Sequence, residues 1–179
     1  KGLSITPVKF GISFTTSHLN QAGSLVHVYT DGSIHLNHGG IEMGQGLMIK
    51  IAQLAAKEFG IDIKNIKITS TNTEKVPNTS ASAASATTDL NGAATIDAIN
   101  KIKQNLNNFL RSFFNFNSGN IIYENNFVKF GNLKKTFKEL VNDAYMNRVS
   151  LSSTGFYKTP KIHVNKETLK GRPFLYFSY

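Results

Sequence analysis

The sequence predicts an α+β domain in which helices pack against a mixed β-sheet. Three observations support this fold class: short apolar segments near the start alternate as strands do, apolar residues at helical spacing follow them, and both kinds of segment then recur along the chain. The chain has 179 residues, which is long enough to bury a core. Its 40% apolar and 17% charged residues are typical of a globular protein. We therefore expect one domain over residues 1–179.

The first forty residues are predicted to form strands and a hairpin. Residues 8–15 and 24–29 alternate apolar with polar positions, as half-buried strands do. Asp31-Gly32 follows the second of these segments and is a hairpin turn signal. We expect this turn to bring the second strand back onto residues 34–36, so that the two strands pair antiparallel.

The most informative segment of the sequence is rich in glycine and leads directly into a predicted helix. It reads His38-Gly39-Gly40-Ile41-Glu42-Met43-Gly44-Gln45-Gly46, and residues 47–59 then show helical apolar spacing that Gly60 is placed to terminate. Glycines allow a backbone to approach a ligand closely, and the free N–H groups at a helix start suit an anion such as a phosphate. The same glycines also fit a tight turn without a ligand. Gln45 favours the ligand, because its amide both donates and accepts.

A second segment, residues 80–89, consists almost entirely of small and hydroxyl side chains. It follows a short strand predicted at 66–69 and precedes a helix predicted from about Asn91 to Leu110. Hydroxyl residues before a helix are commonly caps. The Ser, Thr and Ala residues from 82 to 88 exceed what a cap requires, so we expect them to let a ligand or another backbone lie close.

The last third of the chain carries weaker signals. A strand is predicted at 127–130 and a short helix from a Thr136 cap to Tyr145. The tail from Ser150 is predicted to be irregular, with breaks at Pro160 and Pro173 and a strand-like end. The chain opens without an initiator Met and both ends read as strands, so we expect a fragment of a larger chain.

Composition argues against several classes of function. The chain has no cysteine, and its five histidines lack the spacing of a metal site, so a metal held by protein ligands is not expected. Neither a membrane-length apolar run nor a signal-peptide pattern is present. The net charge of +9 is compatible with nucleic-acid binding. The lysines are scattered, however, which favours a basic surface exposed to solvent or to partner domains.

Several of these segments resemble the molybdenum-binding subunit of the xanthine dehydrogenase, xanthine oxidase and aldehyde oxidase family of molybdenum hydroxylases. The Glu-Met-Gly-Gln-Gly sequence at 42–46 is highly specific to that family. The matching segments are 7–15 (Pro-Val-Lys-Phe-Gly-Ile-Ser-Phe-Thr), 19–23 (Leu-Asn-Gln-Ala-Gly), 26–33 (Val-His-Val-Tyr-Thr-Asp-Gly-Ser), 38–47, 76–85 (Val-Pro-Asn-Thr-Ser-Ala-Ser-Ala-Ala-Ser), 89–92, 154–160 and 171–174.

The resemblance implies a molybdenum pyranopterin (molybdopterin) cofactor that the protein holds by hydrogen bonds without ligating the metal. It implies that the residue matching Ala84 lies adjacent to molybdenum and is not a ligand. Fe–S clusters and FAD would reside on other domains or subunits. The residues matching the family's cofactor contacts are Gly44, Gln45, Ser82, Ala83, Ala84, Ser85, Ala86, Thr87 and Thr88.

The activity that the resemblance implies is the hydroxylation of purines such as hypoxanthine and xanthine to urate by a cytoplasmic xanthine dehydrogenase. The catalytic glutamate would lie beyond Tyr179, so this chain contains no catalytic residue and is expected to be inactive alone. The intact enzyme would be a dimer of heterodimers with an Fe–S/FAD subunit or domain, without nucleic acid or membrane as a partner. Ile41 and Ile49 depart from the family, which usually has Thr there.

Two alternatives to this function stay open at the level of sequence. One is a relative that oxidises aldehydes or N-heterocycles, because the residues that select the substrate lie outside the chain. The other is a non-catalytic basic binding module that has lost the cofactor, which the two Ile departures favour.

Overall fold

A computed structural model describes residues 1–6, 8–12, 16–83, 85–116, 118–172 and 174–178. Three helices and eleven strands lie in these ranges, together with short 3₁₀ turns at Ser17–Leu19 and Ile63–Asn65. The helices are α1 (Leu47–Phe59), α2 (Thr87–Phe113) and α3 (Phe137–Met146). The strands are β1 (Val8–Ile12), β2 (Gln21–Val28), β3 (Ile34–His38), β4 (Ile66–Ile68), β5 (Ile121–Glu124), β6 (Phe127–Phe130), β7 (Leu133–Thr136), β8 (Ser152–Lys158), β9 (His163–Val164), β10 (Gly171–Arg172) and β11 (Phe174–Ser178).

The central element of the fold is a four-stranded mixed sheet with the order β4-β3-β2-β8. Strand β2 pairs antiparallel with both β3 and β8, whereas β3 and β4 are parallel and are connected through α1. The predicted hairpin is confirmed: Tyr29 donates its N–H to the Ser33 carbonyl at 2.9 Å, and Asp31 accepts from the Ser33 N–H at 2.9 Å. The mixed sheet with packed helices confirms the α+β fold class.

The predicted helix α1 has the predicted bounds, because its apolar residues fall on one face and Gly60 ends it. Gly60 adopts a left-handed conformation with φ +64°, and its N–H closes the last turn onto the carbonyls of Ala56 and Lys57. The buried face of α1 packs with α2 and the sheet to form the main core. Fully buried members of that core include Val26, Leu36, Leu47, Ile51, Phe59, Ile99, Ile102 and Leu106.

A second, three-stranded antiparallel sheet (β5-β6-β7) continues into α3 on the same core. The predicted Thr136 cap is confirmed as part of a reciprocal capping box. The Thr136 hydroxyl accepts from the Glu139 N–H at 3.1 Å, and the Glu139 carboxylate accepts from the Thr136 N–H at 2.8 Å. Two further antiparallel pairs, β1 with β11 and β9 with β10, complete the described strands.

The predicted irregular tail from Ser150 is wrong, because seven of its residues form strand β8. This strand pairs with β2 from Gln21 to His27, and its Gly155 lets α2 approach so closely that an added Cβ would lie 1.9 Å from the Ala94 carbonyl oxygen. The predicted start of α2 was also wrong by four residues, since the helix begins at Thr87. The predicted strand at 8–15 is confirmed from 8 to 12, and its last three residues lie outside the described part of the chain.

No helix in the described ranges is long and apolar enough to cross a membrane.

Candidate functional site

The glycine-rich segment forms a loop, residues 39–46, that joins the end of β3 to the start of α1. Two of its four glycines are required by close packing within the protein. A Cβ on Gly39 would lie 2.0 Å from the Thr79 methyl carbon, and a Cβ on Gly40 would lie 2.6 Å from a Leu47 methyl carbon. A side chain at either position would displace these neighbours whether or not a ligand binds, which supports part of the turn interpretation.

The other two glycines in this loop, Gly44 and Gly46, adopt left-handed backbone conformations with φ of +96° and +76°. The carboxylate of Glu42 accepts from both of their N–H groups at 2.9 Å, and from the Met48 N–H at 3.1 Å. The start of α1 therefore already faces an anion, a side chain of its own loop. The expectation that these N–H groups are free for a phosphate is wrong.

The hydrogen bonds of Glu42 also give it a structural role. The backbone N–H groups, above all that of Met48, lower the pKa of its carboxyl group, so the carboxylate stays ionised at neutral pH. A low pKa makes it a poor proton acceptor. We conclude that Glu42 organises the loop, and that nothing in its geometry favours a catalytic base.

The Gln45 side chain makes two further hydrogen bonds within the loop. Its side-chain oxygen accepts from the Met43 N–H at 2.6 Å, and its amide nitrogen donates to the Ile41 carbonyl at 2.8 Å. These two partners fix which end of the amide is oxygen and which is nitrogen. One amide hydrogen remains for a ligand. Gln45 is therefore also part of the turn itself, in addition to the ligand-binding role expected of it.

The small-residue segment from Ser82 lies against this loop. The Ser82 hydroxyl oxygen accepts from the Ile41 N–H at 2.7 Å and so joins the two segments. Ser85 adopts a left-handed conformation with φ +57°, which is unfavourable for a residue with a side chain. Such backbone strain is concentrated at ligand-binding and catalytic sites.

A pocket of about 260 Å³ lies between the glycine-rich loop and the start of α2. Six of the nine residues proposed from the sequence line it: Gln45, Ser82, Ala83, Ser85, Thr87 and Thr88. Ala86 is instead buried in a small core cluster with Ala22, Leu90 and Ala94. Gly44 neighbours the lining without belonging to it, and among the described residues no atom beyond its chain neighbours lies within 4 Å of where its Cβ would be. Ala84 lies outside the described residues.

Sequence reasoning missed two residues of this pocket, Met43 and Lys50. Lys50 is in the first turn of α1, and its ammonium is the one formal charge among the lining side chains of the described chain. The pocket thus offers an amide, four hydroxyls and one cation, a donor set suited to a polar, anionic molecule.

Behind the loop lies a layer of buried polar side chains. The Ser24 hydroxyl lies 3.0 Å from the Thr95 hydroxyl, which in turn donates to the Asn91 carbonyl at 2.8 Å. His38 is 2% exposed, and its Nδ1 accepts from the Gly40 N–H at 3.1 Å. The Nε2 of His38 and the Oδ1 of Asn91 are buried and have no hydrogen-bond partner within the described residues.

Burial lowers the pKa of His38 from its ordinary value of 6.5 to about 4. Between these two values the unfolded chain binds a proton that the folded chain does not, so the free energy of unfolding decreases as the pH falls through that window. We expect His38→Asn to weaken this pH dependence, because Asn keeps an acceptor for the Gly40 N–H and does not titrate. Melting temperatures of both proteins between pH 7 and about 4 test this expectation. Parallel pH curves would contradict it.

Within the described ranges, no group of three or more His, Cys, Asp or Glu side chains is arranged to hold a metal ion.

A family model described as "Molybdopterin cofactor-binding domain" matches residues 1–179. The chain is 47% identical over 179 residues to a xanthine dehydrogenase/oxidase of Gallus gallus, and 49% identical to that of Mus musculus. In both comparisons the match covers 100% of this chain and 12% of the relative. The chain thus spans about an eighth of the length of these curated relatives.

The fold also resembles that of solved molybdenum enzymes. A structure of reconstituted CO dehydrogenase from Oligotropha carboxidovorans superposes with a TM-score of 0.76 at 21% identity, and the match covers 96% of this chain and 22% of that one. At this identity the likeness concerns the fold.

Proposed function

The chain belongs to the family of molybdopterin cofactor-binding domains, and from that premise we propose that its cofactor lies in the pocket between the glycine-rich loop and α2. The molybdenum pyranopterin is a polar, anionic molecule with many hydrogen-bonding edges. The lining of the pocket matches it, with the Gln45 amide, the Lys50 ammonium and the hydroxyls of Ser82, Ser85, Thr87 and Thr88. This convergence of two distant segments on one pocket is the observation that carries the proposal.

The residues of the chain would bind and orient the cofactor. Gln45 is held by its own loop and has one amide hydrogen left to donate, and Lys50 offers a charge for a phosphate group. Gly44 leaves its backbone open to close approach. By the family resemblance, Gly44, Ala84 and Ala86 are part of the same proposal, with Ala84 beside the metal. When bound, the cofactor supplies the redox chemistry, and this chain supplies position and orientation.

We further propose that the chain is one segment of a longer cytoplasmic xanthine dehydrogenase that hydroxylates hypoxanthine and xanthine to urate. The identity to two vertebrate xanthine dehydrogenase/oxidases over the whole chain supports this activity. The match covers 12% of those relatives, so a catalytic glutamate, Fe–S clusters and FAD would lie on other domains or subunits. A dimer of heterodimers is the assembly we propose for the intact enzyme.

Elemental analysis of the purified full-length protein tests the cofactor proposal. We expect close to one molybdenum per polypeptide together with a pterin released on denaturation, and urate formation from xanthine. Molybdenum with oxidation of aldehydes but not of xanthine would contradict the purine assignment alone. Absence of both molybdenum and pterin after expression with an active cofactor supply would contradict the cofactor proposal and favour a binding module that has lost it.

A further inference from the structure

We propose that Glu42 is the positioning residue of the cofactor pocket, because its carboxylate holds the glycine-rich loop in the conformation that presents Gln45 to the pocket. This inference rests on the proposed function. Glu42 does not line the pocket. Its role is indirect, because it acts on the pocket through hydrogen bonds to the backbone of the loop.

Glu42 binds three separate N–H groups with its two carboxylate oxygens. Its Oε1 accepts from Gly44 and Gly46, and its Oε2 accepts from Met48. The two glycines adopt left-handed backbone conformations, with φ of +96° and +76°. Glycine loses the most conformational freedom on ordering, so this turn depends on bonds that compensate for that loss.

Gln45 lies between the two glycines whose N–H groups donate to Glu42. With the N–H groups on both sides of Gln45 bound to one carboxylate oxygen, the backbone at Gln45 has little freedom to rotate. The Gln45 side chain then closes the loop through Ile41 and Met43. Glu42 restrains the backbone on both sides of Gln45, and the Gln45 side chain ties this backbone to Ile41 and Met43. The two side chains therefore stabilise the same loop conformation.

The charge of Glu42 also affects where a second anion can bind near the start of α1. A helix start carries a partial positive charge that attracts anions, and the ionised Glu42 already neutralises it there. A second anion at the same place would be repelled by the carboxylate. The phosphate of a bound cofactor is therefore directed toward Lys50 and the hydroxyls of the pocket.

Two substitutions of Glu42 test this role in the full-length protein. Glu42→Gln keeps one oxygen acceptor and places an amide NH₂ against the Met48 N–H, and Glu42→Ala removes every acceptor. We expect molybdenum per polypeptide to fall in that order, on the order of tenfold for Glu42→Ala when cofactor is limiting. Hydrogen exchange of the cofactor-free protein should quicken at the amides of Gly44, Gly46 and Met48 in the same order.

Glu139→Gln is the matched control, because Glu139 is also an exposed carboxylate that accepts a backbone N–H at a helix start. It caps α3, which contributes no residue to the pocket. We expect Glu139→Gln to quicken exchange in the first turn of α3 and to keep the molybdenum content of the wild type. This comparison separates positioning of the pocket from a general loss of stability.

Three other results would contradict the positioning role of Glu42 or the proposed function. Wild-type molybdenum content in Glu42→Ala would overturn the positioning role and leave the proposed function intact. Equal molybdenum losses in Glu42→Ala and Glu139→Gln would reduce Glu42 to a stabilising cap and overturn the positioning role as well. A wild-type protein without molybdenum would contradict the proposed function, and the role of Glu42 toward the cofactor would be overturned with it.

Discussion

Replacing Gly155 with alanine is expected to destabilise the protein by about 3 kcal/mol, at the upper end of the range for overpacked cores. The added methyl group would lie 1.9 Å from the Ala94 carbonyl oxygen and 2.7 Å from the Ala98 nitrogen. Both atoms belong to the backbone of α2, which cannot move aside as a flexible side chain can. Strand β8 would have to separate from α2, and the buried contacts between the helix and the sheet would be disrupted.

A thermal melt tests the Gly155→Ala prediction, and Gly2→Ala provides the matched control. In the described part of the chain, no atom beyond its chain neighbours lies within 4 Å of the Cβ position at Gly2, so the same substitution there adds a methyl group in open space. For a domain of this size, the predicted destabilisation corresponds to a melting temperature lower by roughly 6–12 °C. Melting temperatures of the two variants within about 2 °C of each other would show that α2 does not pack on β8 as described.

Local signals were sufficient to predict α1, the β2–β3 hairpin and the Thr136 cap. Each depends on residues close together in the sequence: one apolar helical face ended by Gly60, an Asp31-Gly32 turn, and a Thr and Glu three positions apart. In physical terms, these elements satisfy their own backbone hydrogen bonds or share them with an immediate neighbour.

Strand β8 was missed because its stability comes from distant partners. Its Gly155 has low strand propensity, and its hydrogen bonds go to β2, more than a hundred residues earlier. Strand β5 was not among the predicted strands. Its turn to β6 consists of Asn125 and Asn126 with φ of +51° and +64°, a two-residue hairpin signal that was available in the sequence.

Six of the nine residues named from the sequence line the pocket, so the candidate site was predicted only in part. The small-residue segment and Gln45 do line one pocket, which the family resemblance implied and helical spacing alone could not. The anion at the start of α1 proved to be Glu42, because left-handed conformations at Gly44 and Gly46 turn their N–H groups toward it. Backbone conformation of that kind cannot be derived from glycine content.

Replacing Gln45 with alanine is expected to lower the cofactor content of the full-length protein on the order of tenfold when cofactor is limiting. The substitution removes the amide that faces the pocket and the two bonds that close the loop onto Ile41 and Met43. Residues 41–45 of the loop are exposed, so the free energy of unfolding should change little. Binding and folding are therefore expected to separate at this residue.

Molybdenum per polypeptide, beside a thermal melt of the cofactor-free protein, measures the two effects of Gln45→Ala independently. Gln53→Ala is the matched control, because Gln53 is an exposed residue of α1 outside the pocket, so the same substitution there should leave both quantities unchanged. Full molybdenum occupancy in Gln45→Ala would mean that Gln45 only closes the turn. The pocket would then have to hold the cofactor through Lys50 and the hydroxyls of α2 alone, and Glu42 would have no ligand-binding side chain to position.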